Sequence, residues 1–188
     1  MNFLIWFTPV AIVCFVSTII TGLILMAFVV GFKDYPNSWM LPYGQSLLIK
    51  HLLIIPLLVY AMINSLFIKK KLISEIHFNP KPWARMESII ILLIFSATAA
   101  LGQQSPPHET TVTGVGVSKM FTLFYQGQFQ PEMTVQFILK SNSLILIVIA
   151  LLLLLIMSFV KKVSPLLSFF FSVLFVVSSY LSIISSIQ

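Results

Sequence analysis

The chain has 188 residues, of which 59% are hydrophobic and only 9% charged, and its mean hydropathy is +1.04. A soluble domain carries roughly a quarter charged residues, so this composition excludes a wetted globular body and suits the hydrocarbon of a bilayer. The formal charge of +6 is no sign of nucleic-acid binding, because seven of the eleven basic residues sit in two connections between apolar runs: Lys69, Lys70, Lys71, Lys81 and Arg85 in one, Lys161 and Lys162 in the other.

A helix needs about 20 apolar residues to cross the hydrocarbon. The first run covers approximately 3–30 and ends at Gly31 and the polar turn from Lys33 to Asn37. It lacks a basic residue before the apolar stretch and an Ala-x-Ala site after it, so it reads as a retained helix rather than a secretory signal. Further helices are predicted at approximately 46–68, 85–102, 144–160 and 165–187, the last opening on Pro165, which suits a first helical turn. The predicted fold is an all-α membrane protein. It is a single membrane domain, 1–188, built as a bundle of about five transmembrane helices with a small extracytoplasmic loop or hairpin at 103–143.

Basic residues concentrate in cytoplasmic connections. The amino terminus is therefore predicted inside and the carboxyl terminus outside, in a multi-pass protein of the cell membrane. The exterior set pairs Lys33, Lys119 and Lys140 with Asp34, Glu109 and Glu132, which is close to neutral.

Within 103–143, the alternation from Thr110 to Val117 suits an extended strand. With the aromatics Phe121, Phe124 and Tyr125 it predicts a hairpin or interfacial flap resting on the membrane surface. Thr18 and Gly22 in the first helix, and Ser96 and Ala100 in the third, have the four-residue spacing that lets backbones approach in lipid. The alternative is that these hydroxyls bond back to their own helix.

Polar side chains inside a span cost energy unless they find a partner or water. Lys50 and His51 lie about 10 Å below Tyr43-Gly44 at 1.5 Å per residue, and they point about 100° apart around the helix. Lys50 can snorkel to the headgroups. His51 is a candidate ligand or proton carrier, or else a histidine bonded to a neighbouring carbonyl. His108 and Glu109 follow Pro106-Pro107 on the same predicted side, as a cation-holding pair or a solvated loop. Imidazole suits copper, zinc or iron, and thioether selects Cu(I), which brings in Met26, Met40, Met120 and Met133. Singly, each methionine reads as filler. Cys14 reads as a small buried hydrophobe, with metal ligation as the alternative. Arg85 and Glu87 read as a structural clasp with Asn64, with a proton or gating role as the alternative. No phosphate loop, Cys-x-x-Cys, His-Glu-x-x-His or nucleophile elbow is present, so nothing marks an enzyme.

The stretch Tyr43-Gly44-Gln45-Ser46-Leu47-Leu48-Ile49-Lys50 resembles the Tyr-Gly-x-x-Leu-x-x-Lys opening of a helix in the copper resistance protein D family. The likeness continues through Asn64, resumes at Arg85-Met86-Glu87, and ends with Ala99-Ala100-Leu101 and Pro106-Pro107. This resemblance implies a bacterial multi-helix membrane protein of copper uptake or tolerance. It makes Tyr43, Gly44, Lys50, Asn64, Arg85, Glu87, Pro106 and Pro107 motif positions. Some longer relatives carry an extracytoplasmic copper-binding domain that this sequence lacks, and such a protein, or a second copy of the chain, is an expected partner.

The resulting expectation is a copper-handling protein that binds the ion near the extracytoplasmic face through His51 and His108, with Glu109 and Met26 assisting. Two rivals stand beside it. One is a haem- or quinone-linked redox bundle using His51 as an axial ligand across a dimer. The other is a non-catalytic assembly subunit.

Overall fold

A computed structural model describes residues 2–63, 79, 81–107, 116–125, 135–136, 138, 141–159 and 164–187. Among these residues the regular elements are seven α-helices: α1 (Asn2–Val29), α2 (Tyr35–Ser38), α3 (Pro42–Ile63), α4 (Lys81–Gly102), α5 (Lys119–Phe124), α6 (Ser141–Phe159) and α7 (Pro165–Ser185). Four of them, α1, α3, α4 and α7, are long and apolar enough to cross a membrane. Helix α6 is 19 residues long, and its described apolar stretch, Asn142–Leu154, is shorter than the other four.

The helix ends have local causes. Gly31 adopts φ 74°, and its N–H and that of Val30 both bond back to the Met26 carbonyl. A left-handed residue just past the last turn is the usual way to close a helix, and glycine reaches it without steric cost. Helix α7 opens with Ser164 as N-cap, its Oγ accepting from the Leu167 N–H at 3.3 Å, and with Pro165 in the first turn. Helix α4 begins at Lys81, whose N–H donates to Asn79 Oδ1 at 3.1 Å, four residues before the expected start.

Helix α6 packs along α7, α3 packs along α4, and α7 also touches α3 and α4. Lipid tails are as apolar as leucine, so association rests on close packing and interhelical hydrogen bonds. The α6–α7 pair uses small residues for both. Ser182 Oγ donates to the Ser143 carbonyl at 3.0 Å, and the Ser143 and Ser185 hydroxyls lie 3.0 Å apart. Two cores result, one at each end of the bundle. Trp39, Met40, Leu48, Leu52, Phe121, Tyr180, Ile184 and Ile187 close one end. Tyr60 and Ile90, backed by Trp83, Met86, Phe169 and Phe171, close the other.

Three expectations are corrected. Helix α1 does not pack along α4: Gly22 has no neighbour within reach of an added Cβ, and none of the α1 span is buried. The hydroxyls satisfy themselves locally instead, Thr18 on the Cys14 carbonyl at 2.8 Å and Ser96 on the Leu92 carbonyl at 2.9 Å. Cys14 is exposed on α1 rather than buried. Residues 119–124 are helical, not a hairpin arm, and Phe121 is fully buried beneath the α3–α7 contact rather than lying on the membrane surface. The four-residue spacing of Phe121 and Tyr125, whose rings stack at 4.8 Å, is helical spacing. The strand expected at 110–115 lies outside the described residues.

Candidate functional site

The segment between α1 and α3 folds back over the start of α3. Its placement depends on Gly44, where a Cβ would collide with the backbone carbonyl of Ser38. No side chain fits there, so the turn carrying Tyr35 and Trp39 can press against the helix that carries His51. Two anchors hold this turn from outside: the Met40 carbonyl accepts from the Ser118 N–H at 2.9 Å, and Asn37 Oδ1 accepts from the Val135 N–H at 2.9 Å.

Inside this frame the Tyr35 hydroxyl lies 2.7 Å from His51 Nδ1. The two rings meet edge to face at 5.6 Å, and Tyr35 meets Trp39 in the same way at 5.2 Å. Burial pushes the Tyr35 phenol up to about 12, an effect that outweighs the Trp39 contact, so the hydroxyl keeps its proton at any physiological pH. A neutral phenol can donate to Nδ1 or accept from an Nδ1–H, according to the histidine tautomer. Either way Nδ1 is committed, and Nε2 is the ring nitrogen left for other chemistry.

Beside this pair lies a buried polar lock. The Gln45 side-chain amide donates to the Trp39 carbonyl, and its Oε1 accepts from the Tyr180 hydroxyl. Gln45 thereby ties the turn, the start of α3 and the end of α7 together. On the α4 side, Ser46 Oγ donates to Gln104 Oε1 at 3.4 Å, a long contact, which draws the end of α4 toward the same region.

The predicted site residues distribute as follows. His51 and Lys50 are half-buried on α3, as is Tyr43 at its start. Met26 is half-buried near the end of α1, and Pro106 and Pro107 follow α4 half-buried. Arg85 is exposed and Glu87 half-buried in the first turns of α4. His108, Glu109, Asn64 and Met133 lie outside the described residues, so the imidazole pair and the clasp at Asn64 do too. Met40 is a core residue packed among Trp39 and Leu48, and Met120 is half exposed on α5. Among the described residues no three His, Cys, Asp or Glu side chains converge as a metal site. Tyr35, Trp39, Gln45 and Tyr180 were not singled out from the sequence. The one local signal for them was an aromatic pair at four-residue spacing, Tyr35 and Trp39, just before the Tyr-Gly motif.

The model of the copper resistance protein D family matches residues 1–101, more than half of the chain. The chain belongs to the copper resistance protein D family. It is thus a multi-pass membrane protein of copper resistance or handling, and the family match ends at Leu101, in the last turn of α4. In this family member the Tyr35–His51 pair, the Gly44 contact and the Gln45 lock all fall within the matched region, apart from Tyr180. Comparison with curated proteins and with solved structures gives no match.

Proposed function

We propose that the protein receives a copper ion at the extracytoplasmic face, for uptake or tolerance, and that His51 Nε2 is the first nitrogen the ion meets inside the membrane boundary. The observation that carries this reading is the 2.7 Å contact between the Tyr35 hydroxyl and His51 Nδ1. Histidine ligands characteristically engage their second ring nitrogen with a neighbouring polar group, which fixes the ring and its tautomer. Tyr35 supplies that partner.

His108 and Glu109 complete the proposed ligand set, with Met26 assisting. Support for His108 comes from Gln104, four residues earlier, which contacts Ser46 near the start of α3. Met26 precedes Gly31 by little more than one turn, at the end of the helix that leads into the Tyr35 segment. Lys50 points about 100° away from His51, and its stem is long enough to carry the ammonium to the headgroups. In this reading α6 also crosses the bilayer, giving five spans with the amino terminus inside and the carboxyl terminus outside. The lysines after α3 and before α7 then face the cytoplasm. A copper-carrying extracytoplasmic protein or a second copy of the chain is the partner this arrangement would accept.

Copper titration of the purified protein, beside His51→Ala and His108→Ala, tests the proposal. Loss of tight binding in His51→Ala is expected, with weakening in His108→Ala. Unchanged stoichiometry and affinity in both variants would refute it.

A further inference from the structure

At the end of the bundle opposite His51, the exposed face of α4 grades from charge to hydrocarbon. Lys81 and Arg85 stand one turn apart, Ser88 and Ile89 come next, and Leu92 continues the same face, 64% exposed. Lys81, Ala84, Arg85, Ser88 and Ile89 line a shallow groove in the surface. No acidic side chain is among the described lining residues. Glu87, two residues beyond Arg85, projects from the far side of the helix, about 200° round. The Ser88 hydroxyl donates to the Ala84 carbonyl at 2.9 Å, so among the described lining residues the charged groups are the two cationic heads of Lys81 and Arg85.

From these observations we infer that the groove binds one anionic glycerophospholipid, its phosphate held by Lys81 and Arg85 and an acyl chain lying along Ile89 and Leu92. Three features of the groove fit such an amphiphile. The planar guanidinium of Arg85 matches two phosphate oxygens at once, and Lys81 adds a point charge. The distance from Lys81 to Leu92 is about 16 Å along the helix axis, which takes a bound molecule from the headgroup layer well into the acyl layer. Ala84 is the small residue between the two cations, and its missing bulk forms the floor of the groove. Basic pockets at the edges of membrane helices recognise anionic headgroups in this manner.

Native mass spectrometry of the detergent-solubilised protein, titrated with phosphatidylglycerol, phosphatidylcholine or inorganic phosphate, tests the inference. One phosphatidylglycerol per chain should bind in preference to phosphatidylcholine. At about 1 kcal/mol for each basic residue near a headgroup, the double variant Lys81→Gln/Arg85→Gln should bind it roughly 30-fold more weakly. Ala84→Trp fills the groove and keeps both charges, and it should also lose the lipid, whereas Lys81→Arg should retain it. Equal binding of the two lipids, binding of inorganic phosphate with no preference for the lipid, or undiminished phosphatidylglycerol binding in either loss variant would overturn the inference. Copper binding at His51 plays no part in any of these readouts.

Discussion

The Tyr35 hydroxyl and His51 Nδ1 are 2.7 Å apart, although Tyr35 lies outside the predicted spans and His51 two turns inside one. The contact exists because the chain turns at 39–41 and lays a short helix carrying Tyr35 over the start of α3, where Gly44 leaves room for the Ser38 backbone. It leaves Nε2 as the ring nitrogen that Tyr35 does not engage.

Tyr35→Phe keeps the ring contacts with Trp39 and His51 and removes the hydrogen bond. If Tyr35 orients a ligand, copper affinity should fall by roughly 10- to 100-fold, while the cost in stability stays near about 1 kcal/mol. Competition titration against a chromophoric chelator, with a thermal melt in parallel, separates the two effects. The pH dependence has a defined sign. The folded phenol titrates near 12, above its ordinary value of 10.0, so the folded state retains a proton that the unfolded chain has lost. The stability contributed by Tyr35 is therefore fully present below pH 10 and declines as pH rises from 10 to 12. The wild-type minus Tyr35→Phe ultraviolet difference spectrum should show one phenol ionising near pH 12.

Gly44→Ala should destabilise by about 2–3 kcal/mol, because the new methyl meets the Ser38 backbone rather than a side chain able to move aside. Gly22→Ala on α1 meets nothing and should stay within about 0.5 kcal/mol of wild type. Thermal melts of the two variants check this pair. A large loss in Gly22→Ala would show that α1 is packed after all.

Tyr180→Phe leaves the Gln45 acceptor without its donor and should cost about 1–2 kcal/mol. The double variant Gln45→Leu/Tyr180→Phe should cost less than the sum of the single changes, since both remove the same buried bond. Denaturant unfolding in mixed micelles measures the coupling. Strict additivity would mean that the bond contributes nothing.

The long helices were legible in the sequence because each depends on a local property. Apolar runs of spanning length, Gly31 after the first and Pro165 opening the last all act within a few residues. The site was only half legible. His51 stood out as a histidine inside a span, but Tyr35 lies 16 residues away across a turn, and Gln45 and Tyr180 are 135 residues apart. No periodicity encodes such pairs. The expected α1–α4 contact failed for an energetic reason: Thr18 and Ser96 each have a carbonyl of their own helix one turn back, so small-residue spacing alone created no need for a partner. The segment 103–143 reads differently at 119–124 in the structure because a six-residue helix is too short to show its period beside neighbouring turns.

The threading of the bundle is open to direct labelling. With Cys14 replaced by serine, single cysteines at Gln103 and Thr122 should react with an impermeant maleimide added outside intact cells, and one at Asn79 should react only after permeabilisation. Outside labelling of Asn79 would invert the assignment and move His51 to the cytoplasmic half.

X-ray absorption of the copper-loaded protein bears most directly on the central claim, that His51 Nε2 receives the ion with Tyr35 behind it. The wild-type spectrum should contain imidazole scattering that drops by one ring in His51→Ala, and the metal–nitrogen shell should become more disordered in Tyr35→Phe. An identical imidazole contribution in wild type and His51→Ala would contradict the account.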